Sequence, residues 1–155
     1  MSRIFREGFG KTSERGGNLS TNATTYAAID IGSNAIRLLI GKLNGGGRVK
    51  YLKKIRCPVR LGNDVFSSGT ISRQSMGAAL EALTTFKKNM RAYAVESSRA
   101  VATSAVREAK NGDELQVLIR KKLGVDLHVI DYREEARLIH VGVKQSLDLG
   151  RSKAV

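Results

Sequence analysis

Apolar and polar positions change rhythm several times along these 155 residues. From Tyr26 the chain reads Tyr-Ala-Ala-Ile-Asp-Ile-Gly, and a second apolar run extends from Ala35 to Leu43. Gly32, Ser33 and Asn34 separate the two runs, which predicts strand, tight turn, strand. Asn44-Gly45-Gly46-Gly47 supplies residues that adopt positive φ readily, so a third antiparallel strand is expected from Arg48 to about Cys57. Pro58 ends that ladder, and Leu61 to Gly69, with its Gly, Asn, Asp and Ser, reads as a loop.

Helical spacing follows. Between Ser72 and Val95 the apolar positions Met76, Leu80, Leu83, Met90 and Ala94, supported by Phe86, recur three, four and seven residues apart and predict one buried helix face. Ala100 to Ala105 reads as a short strand, Asp113 to Leu123 as a helix closed by Gly124, and Val125 to Ile130 as another strand. Asp131, with Glu134 three residues on, is placed to cap a last helix whose expected buried stripe is Ala136, Ile139 and Val143. Arg151 to Val155 reads as the start of a further strand. The order β-β-β-α-β-α-β-α implies an α/β fold with a mixed sheet flanked by helices, the order of a ribonuclease H-like half-domain.

Residues 1–25 have no apolar period and are rich in Gly, Ser, Thr and Asn, so a flexible extension is expected before a domain spanning 26–155. Glu7 and Glu14 and the lack of an apolar stripe argue against a targeting peptide there. With 41% hydrophobic residues the chain can bury one core. No run approaches the roughly 18 to 20 apolar residues of a membrane span, so a soluble, cytoplasmic protein with no membrane partner is the expectation. Cys57 stands alone, which excludes an internal disulfide, and no histidine lies at zinc-ligand spacing from it. The formal charge of +13 points to polyanions or an acidic partner, and it resides in the domain: residues 1–25 hold four basic and two acidic side chains, leaving 23 and 12 for the remainder.

The turn Asp30-Ile31-Gly32-Ser33-Asn34 carries the candidate chemistry. Gly32 lets backbone approach a ligand, the amides with Ser33 and Asn34 can donate to phosphate oxygens, and Asp30 can hold magnesium or its waters. An ordinary hairpin turn needs the same residue types, and from the residues alone that alternative stays open. Glu134 and Glu135 suit the first turn of a helix whether or not they have chemistry to do. From the residues alone Arg107 reads as a surface arginine, Arg37 receives no role, and His128 and His140 lack metal-spaced partners.

Asp30-Ile31-Gly32-Ser33-Asn34-Ala35-Ile36-Arg37-Leu38-Leu39-Ile40 resembles the first phosphate-binding motif of the exopolyphosphatase and guanosine pentaphosphate phosphohydrolase (Ppx/GppA) family, in the actin-like ATPase, sugar kinase and Hsp70 superfamily. Val59-Arg60-Leu61-Gly62, the stretch from Ala102 to Ala109, and Glu134-Glu135-Ala136-Arg137-Leu138 resemble the same family in the same order. The resemblance implies a magnesium-dependent hydrolase that releases terminal phosphate from polyphosphate or guanosine pentaphosphate. It implies Glu135 as the general base, Arg107 near the phosphates, Gly32, Ser33 and Asn34 on phosphate and Asp30 on the metal. The family's second phosphate loop, Asp-x-Gly-Gly-Gly-Ser, is expected beyond Val155 together with a carboxy-terminal domain, so the chain by itself is expected to be inactive; a homodimer is compatible with this picture.

The chain departs from the pattern at Ala35, where serine is common, at Asn63-Asp64, where a second glycine is usual, and at Asp131-Tyr132, where Ser-Gly often stands. Two other classes remain in view. One is a non-catalytic basic module for nucleic acid or another polyanion, which the charge supports but the 5% aromatic content does not. The other is an ATP-using relative in the same superfamily.

Overall fold

Three antiparallel strands open the chain: β1 (Thr25–Ile31), β2 (Ile36–Leu43) and β3 (Val49–Cys57). The computed structural model describes residues 24–44 and 49–151, with side chains as far as 143. Then come α1 (Leu61–Ser68), α2 (Arg73–Ala92), β4 (Ser97–Ala102), α3 (Ser104–Glu108), α4 (Gly112–Leu123), β5 (Leu127–Val129) and α5 (Tyr132–Arg151). The five strands form one sheet in the order β3-β2-β1-β4-β5, with β4 parallel to both β1 and β5. This mixed sheet is the one expected for a ribonuclease H-like half-domain. The flexible extension expected over 1–25 lies outside the described residues up to position 23; Thr25 is already in β1 and buried.

Alternation in β1 sorts its residues between the two faces of the sheet. Ala27, Ile29 and Ile31, with Ile36, Leu38 and Ile40 of β2 and Ala100 and Ala102 of β4, point into a core shared with Leu61 and Val65 of α1, Met76, Leu83, Phe86 and Met90 of α2, and Leu115 and Ile119 of α4. Opposite neighbours on the other face include Asp30, Arg37 and Arg56 in one row and Ala28, Leu39 and Lys54 in the next. That face also carries Arg99 and His128 and is largely exposed.

Five expectations change. The stretch Leu61 to Gly69 is a helix, α1, closed by Gly69 at φ 75°. Tertiary contacts override its turn-like composition: Leu61 and Val65 are buried, Ser67 and Ser68 fold their hydroxyls back onto the Asn63 and Asp64 carbonyls, and Asp64 accepts the Ser72 N–H at 2.9 Å. Ala94 is not on the buried face of α2; it lies beyond the helix at φ 49°, with the Val95 N–H reaching back to the Met90 carbonyl. The strand expected to reach Ala105 stops at Ala102, because Ala105 and Val106 are buried on the turn of α3 instead. Ala136, Ile139 and Val143 are exposed on α5, so that stripe is not buried within the described residues. Arg151 belongs to α5, and residues 152–155 of the expected last strand lie outside the described part.

Candidate functional site

The carboxyl ends of the parallel strands β1, β4 and β5 lie side by side, the edge where open α/β sheets gather ligands. Each of these ends leads into a segment singled out from the sequence. From β1 the chain enters Gly32-Ser33-Asn34, from β4 it enters α3 with Arg107, and from β5 it enters α5 with Glu135.

The Gly32–Asn34 loop is held from one side. Gly32 N–H closes the turn onto the Ala35 carbonyl at 3.2 Å, while the Ser33 and Asn34 carbonyls accept N–H groups from Gly62 at 2.8 Å and Arg60 at 3.2 Å. Carbonyls are thereby turned toward the start of α1, and the Ser33 and Asn34 N–H groups have no protein acceptor among the described residues. Successive free amides beside a tied-down turn make an anion-binding concavity. Gly62 permits this approach, since a Cβ there would lie 2.9 Å from the Ser33 Cβ. The Ser33 hydroxyl shares a 2.8 Å hydrogen bond with that of Ser104 at the start of α3. Arg60, at φ 57°, adopts a left-handed conformation that costs a non-glycine residue energy, and does so where it bonds the loop.

Asp30 stands opposite Arg37 in the ladder, and their side chains pair at 3.0 Å. Arg37, which received no role from the sequence, is thus the partner of the candidate metal ligand. The signal was present: a four-residue turn that aligns Ile31 with Ile36 places Asp30 against Arg37. Among the described residues no three His, Cys, Asp or Glu side chains gather as a metal would need. Asp30, with 41% of its side chain exposed, fits a magnesium ion that takes most of its ligands from phosphates and water.

Arg107 and Glu135 meet at 3.3 Å, through Nη1 and Oε2. The same Nη1 donates to the Ile130 carbonyl at 2.7 Å, and the guanidinium carbon lies 3.7 Å from the centre of the Tyr132 ring. Burial works against the charge on Arg107, but the Tyr132 and Glu135 side chains outweigh it and hold the guanidinium above its ordinary value. It remains cationic. Glu135 keeps 31% of its side chain exposed, so its carboxylate is anchored by one oxygen and open to water.

Glu134 is separate from this pair. Its N–H is capped by Asp131 Oδ1 at 2.8 Å, as the spacing predicted, and its carboxylate takes both arms of Arg137 at 2.7 Å. That fork holds the Glu134 carboxyl below its ordinary value. Asp64 is also drawn away from the loop: hydrogen bonds from Ser72 and Ser75 lower its pKa and commit its charge to the start of α2. Ala35 is fully buried, and His128 and His140 are exposed.

Two groups of candidates therefore sit at one sheet edge, the Gly32–Asn34 loop with Ser104, and Arg107 with Glu135. Helix α3 links them, and no hydrogen bond or ion pair joins them directly among the described residues. Sequence reasoning missed Ser104, Gly62, Glu108 and Tyr132 as site neighbours. Only tertiary structure brings the first two onto the loop.

Comparison with known proteins gives the same direction throughout. Residues 39–155 match the model of the Ppx/GppA phosphatase family. A guanosine-5'-triphosphate,3'-diphosphate pyrophosphatase of Aliivibrio fischeri is 35% identical over 124 residues, which are 80% of this chain and 25% of that protein. Among solved structures, a Ppx/GppA family member from Aquifex aeolicus superposes with a TM-score of 0.75 at 30% identity, over 81% of this chain and 40% of the other. An exopolyphosphatase from Cytophaga hutchinsonii gives 0.75 at 34% identity, over 79% of this chain and 39% of its own. The chain thus spans about a quarter of the curated relative and two fifths of the solved ones. With these matches covering most of its length, the chain belongs to the Ppx/GppA phosphatase family.

Proposed function

We propose that this chain supplies the first phosphate loop and the general base of a hydrolase that releases terminal phosphate from polyphosphate or guanosine pentaphosphate. The observation that carries the reading is the Gly32–Asn34 loop, whose carbonyls are bonded to the start of α1 while the Ser33 and Asn34 N–H groups are left for an anion. Those amides, with the Ser33 hydroxyl and the Asn34 side chain, would hold phosphoryl oxygens without moving. Glu135 would orient a water through its open carboxylate oxygen and take its proton as the water attacks phosphorus in line with the leaving oxygen. Arg107 fixes Glu135 and brings positive charge to the phosphoryl oxygens. Magnesium would be held by Asp30 and the phosphates, and when bound it supplies charge neutralisation. Arg37 would release Asp30 or share it.

The relatives' names support this reading, the first being a guanosine-5'-triphosphate,3'-diphosphate pyrophosphatase and a solved neighbour an exopolyphosphatase. No Asp-x-Gly-Gly-Gly-Ser loop occurs in the sequence, so residues 1–155 alone should release no phosphate from either substrate. Joining the chain to the remaining three quarters of the Aliivibrio fischeri relative should give magnesium-dependent release, reduced about 100-fold or more by Glu135→Gln. Equal activity with and without that carboxylate would sink the mechanism. Phosphate release by the pure chain, abolished by Glu135→Ala, would overturn the view that half a site is present.

A second reading rests on the exposed sheet face, where Arg37, Lys54, Arg56 and Arg99 gather, with Asp30 paired to Arg37 and Glu134 within electrostatic reach of Arg99. Such a face suits a polyanion held by charge alone. Binding there would fall steeply with salt and need no magnesium.

A further inference from the structure

Tyr132 occupies a position where the family resemblance leads one to expect glycine, and this large residue is 65% exposed. Packing in the core does not explain it. Its ring instead lies against the Arg107 guanidinium, with 3.7 Å between the ring centre and Cζ. Its hydroxyl donates to Glu108 Oε1 at 3.0 Å, and the same oxygen stands 3.9 Å from Arg107 Nη2, close enough for attraction but too far for a hydrogen bond.

The guanidinium is unevenly used. Nη1 serves both the Ile130 carbonyl and Glu135, whereas Nε and Nη2 are buried and have no hydrogen-bond partner among the described residues. Those two nitrogens form the side-on fork with which arginine takes two oxygens of one phosphate or carboxylate. A buried fork without an acceptor is unfavourable, and an oxyanion seated on it would remove that penalty.

We propose that Tyr132 is a positioning residue for Arg107, holding the guanidinium so that Nη1 stays on Glu135 while the Nε and Nη2 fork is kept for a phosphoryl group. This rests on the phosphate-site reading of Arg107 given above. Glu108 stands beside Nη2, steadied by the Tyr132 hydroxyl, and its exposed carboxylate can turn to water as a phosphoryl group is seated. Stacking supplies the orientation and the hydroxyl only the tether, so the ring matters more than the oxygen.

The test uses ¹⁵N-labelled chain 1–155 with Tyr132→Ala and Tyr132→Phe, and pyrophosphate with magnesium as the probe. Arginine Nε–H signals are recorded first without anion, with Arg107→Lys identifying the Arg107 signal. That signal should be shifted by the ring in the unsubstituted chain and in Tyr132→Phe, and should move to the ordinary arginine position in Tyr132→Ala. Pyrophosphate affinity should fall about tenfold in Tyr132→Ala and stay within about threefold in Tyr132→Phe, with Tm unchanged in both. An unchanged Arg107 signal and affinity in Tyr132→Ala, or equal losses in the two variants, would refute the positioning role while leaving the phosphate site standing. A ring-shifted Arg107 signal in a chain that binds no pyrophosphate would refute the phosphate-site reading and, with it, the purpose assigned to the stack.

Discussion

Replacing Gly62 and Gly77 by alanine should change stability in opposite directions, although both lie inside helices. Helix propensity alone predicts a gain of about 0.5–1 kcal/mol at each, because alanine loses less backbone freedom on folding. At Gly77, in α2, nothing lies within 4 Å of the added methyl, so that gain should appear undiminished. At Gly62 the methyl would meet Phe66 Cε2 and Ser33 Cβ at 2.9 Å and the Ser33 carbonyl oxygen at 3.2 Å. Phe66 is 65% exposed and can swing aside, but Ser33 is fixed by hydrogen bonds from Gly62 N–H and with Ser104. Overpacking against so stiff a neighbour costs about 1–3 kcal/mol, which leaves a net loss on the order of 1 kcal/mol after the propensity gain. Urea unfolding of each variant, followed by circular dichroism, reads the difference as a change in midpoint at constant slope. Gly62→Ala should also disturb the Ser33 and Ser104 resonances, which Gly77→Ala should leave alone. If Gly62→Ala stabilises the chain as Gly77→Ala does, then α1 does not press on the phosphate loop and the support described for that loop is wrong.

Three more outcomes follow from the same structure. Ala94→Gly should stabilise by about 1 kcal/mol in thermal unfolding, since glycine carries no Cβ penalty at φ 49°. Gly112→Ala should destabilise by about 2 kcal/mol or more, because its Cβ would collide with the Val106 carbonyl oxygen; a neutral result in urea would contradict the packing of α4 on α3. Asp64→Ala should cost about 1 kcal/mol at neutral pH by removing the acceptor for Ser72 N–H. Because the folded Asp64 pKa lies below its ordinary 3.8, that contribution is present above 3.8 and is lost as pH falls through the lower folded value. The gap between the chain and its Asp64→Ala variant should therefore close in acid, and a gap independent of pH would refute the assignment.

What could be read from the sequence was what depends on local spacing. Short apolar runs parted by the Gly32–Asn34 and Asn44–Gly47 turns located β1 to β3, the Met76, Leu83, Phe86 and Met90 face located α2, and the Asp131–Glu134 spacing gave the cap of α5. The failures arose where distant residues decide. Leu61 to Ser68 looks like a loop until Leu61 and Val65 have a sheet to pack on, and Asp64 looks like loose negative charge until Ser72 is beside it. Ile139 and Val143 looked buried because a period of apolar residues says that a helix has a face, but not whether anything covers it. At the site, the residue types in the Asp30–Asn34 turn were legible, whereas the fixing of its carbonyls by Arg60 and Gly62 was not, since those bonds cross more than 25 residues. Tyr132 was noticed only as a departure from the family pattern; its place on Arg107 required the structure.

The most direct test is to map, by amide ¹⁵N NMR of chain 1–155, where tripolyphosphate binds in the presence of magnesium. Binding at the proposed site should shift the Gly32, Ser33 and Asn34 amides first and by the largest amounts, with Arg107 and Glu135 following, and moderate salt should leave that pattern in place. Shifts confined to the Lys50–Arg56 stretch and Arg99, fading as salt is added and indifferent to magnesium, would contradict it and identify the exposed basic sheet face as the binding surface instead.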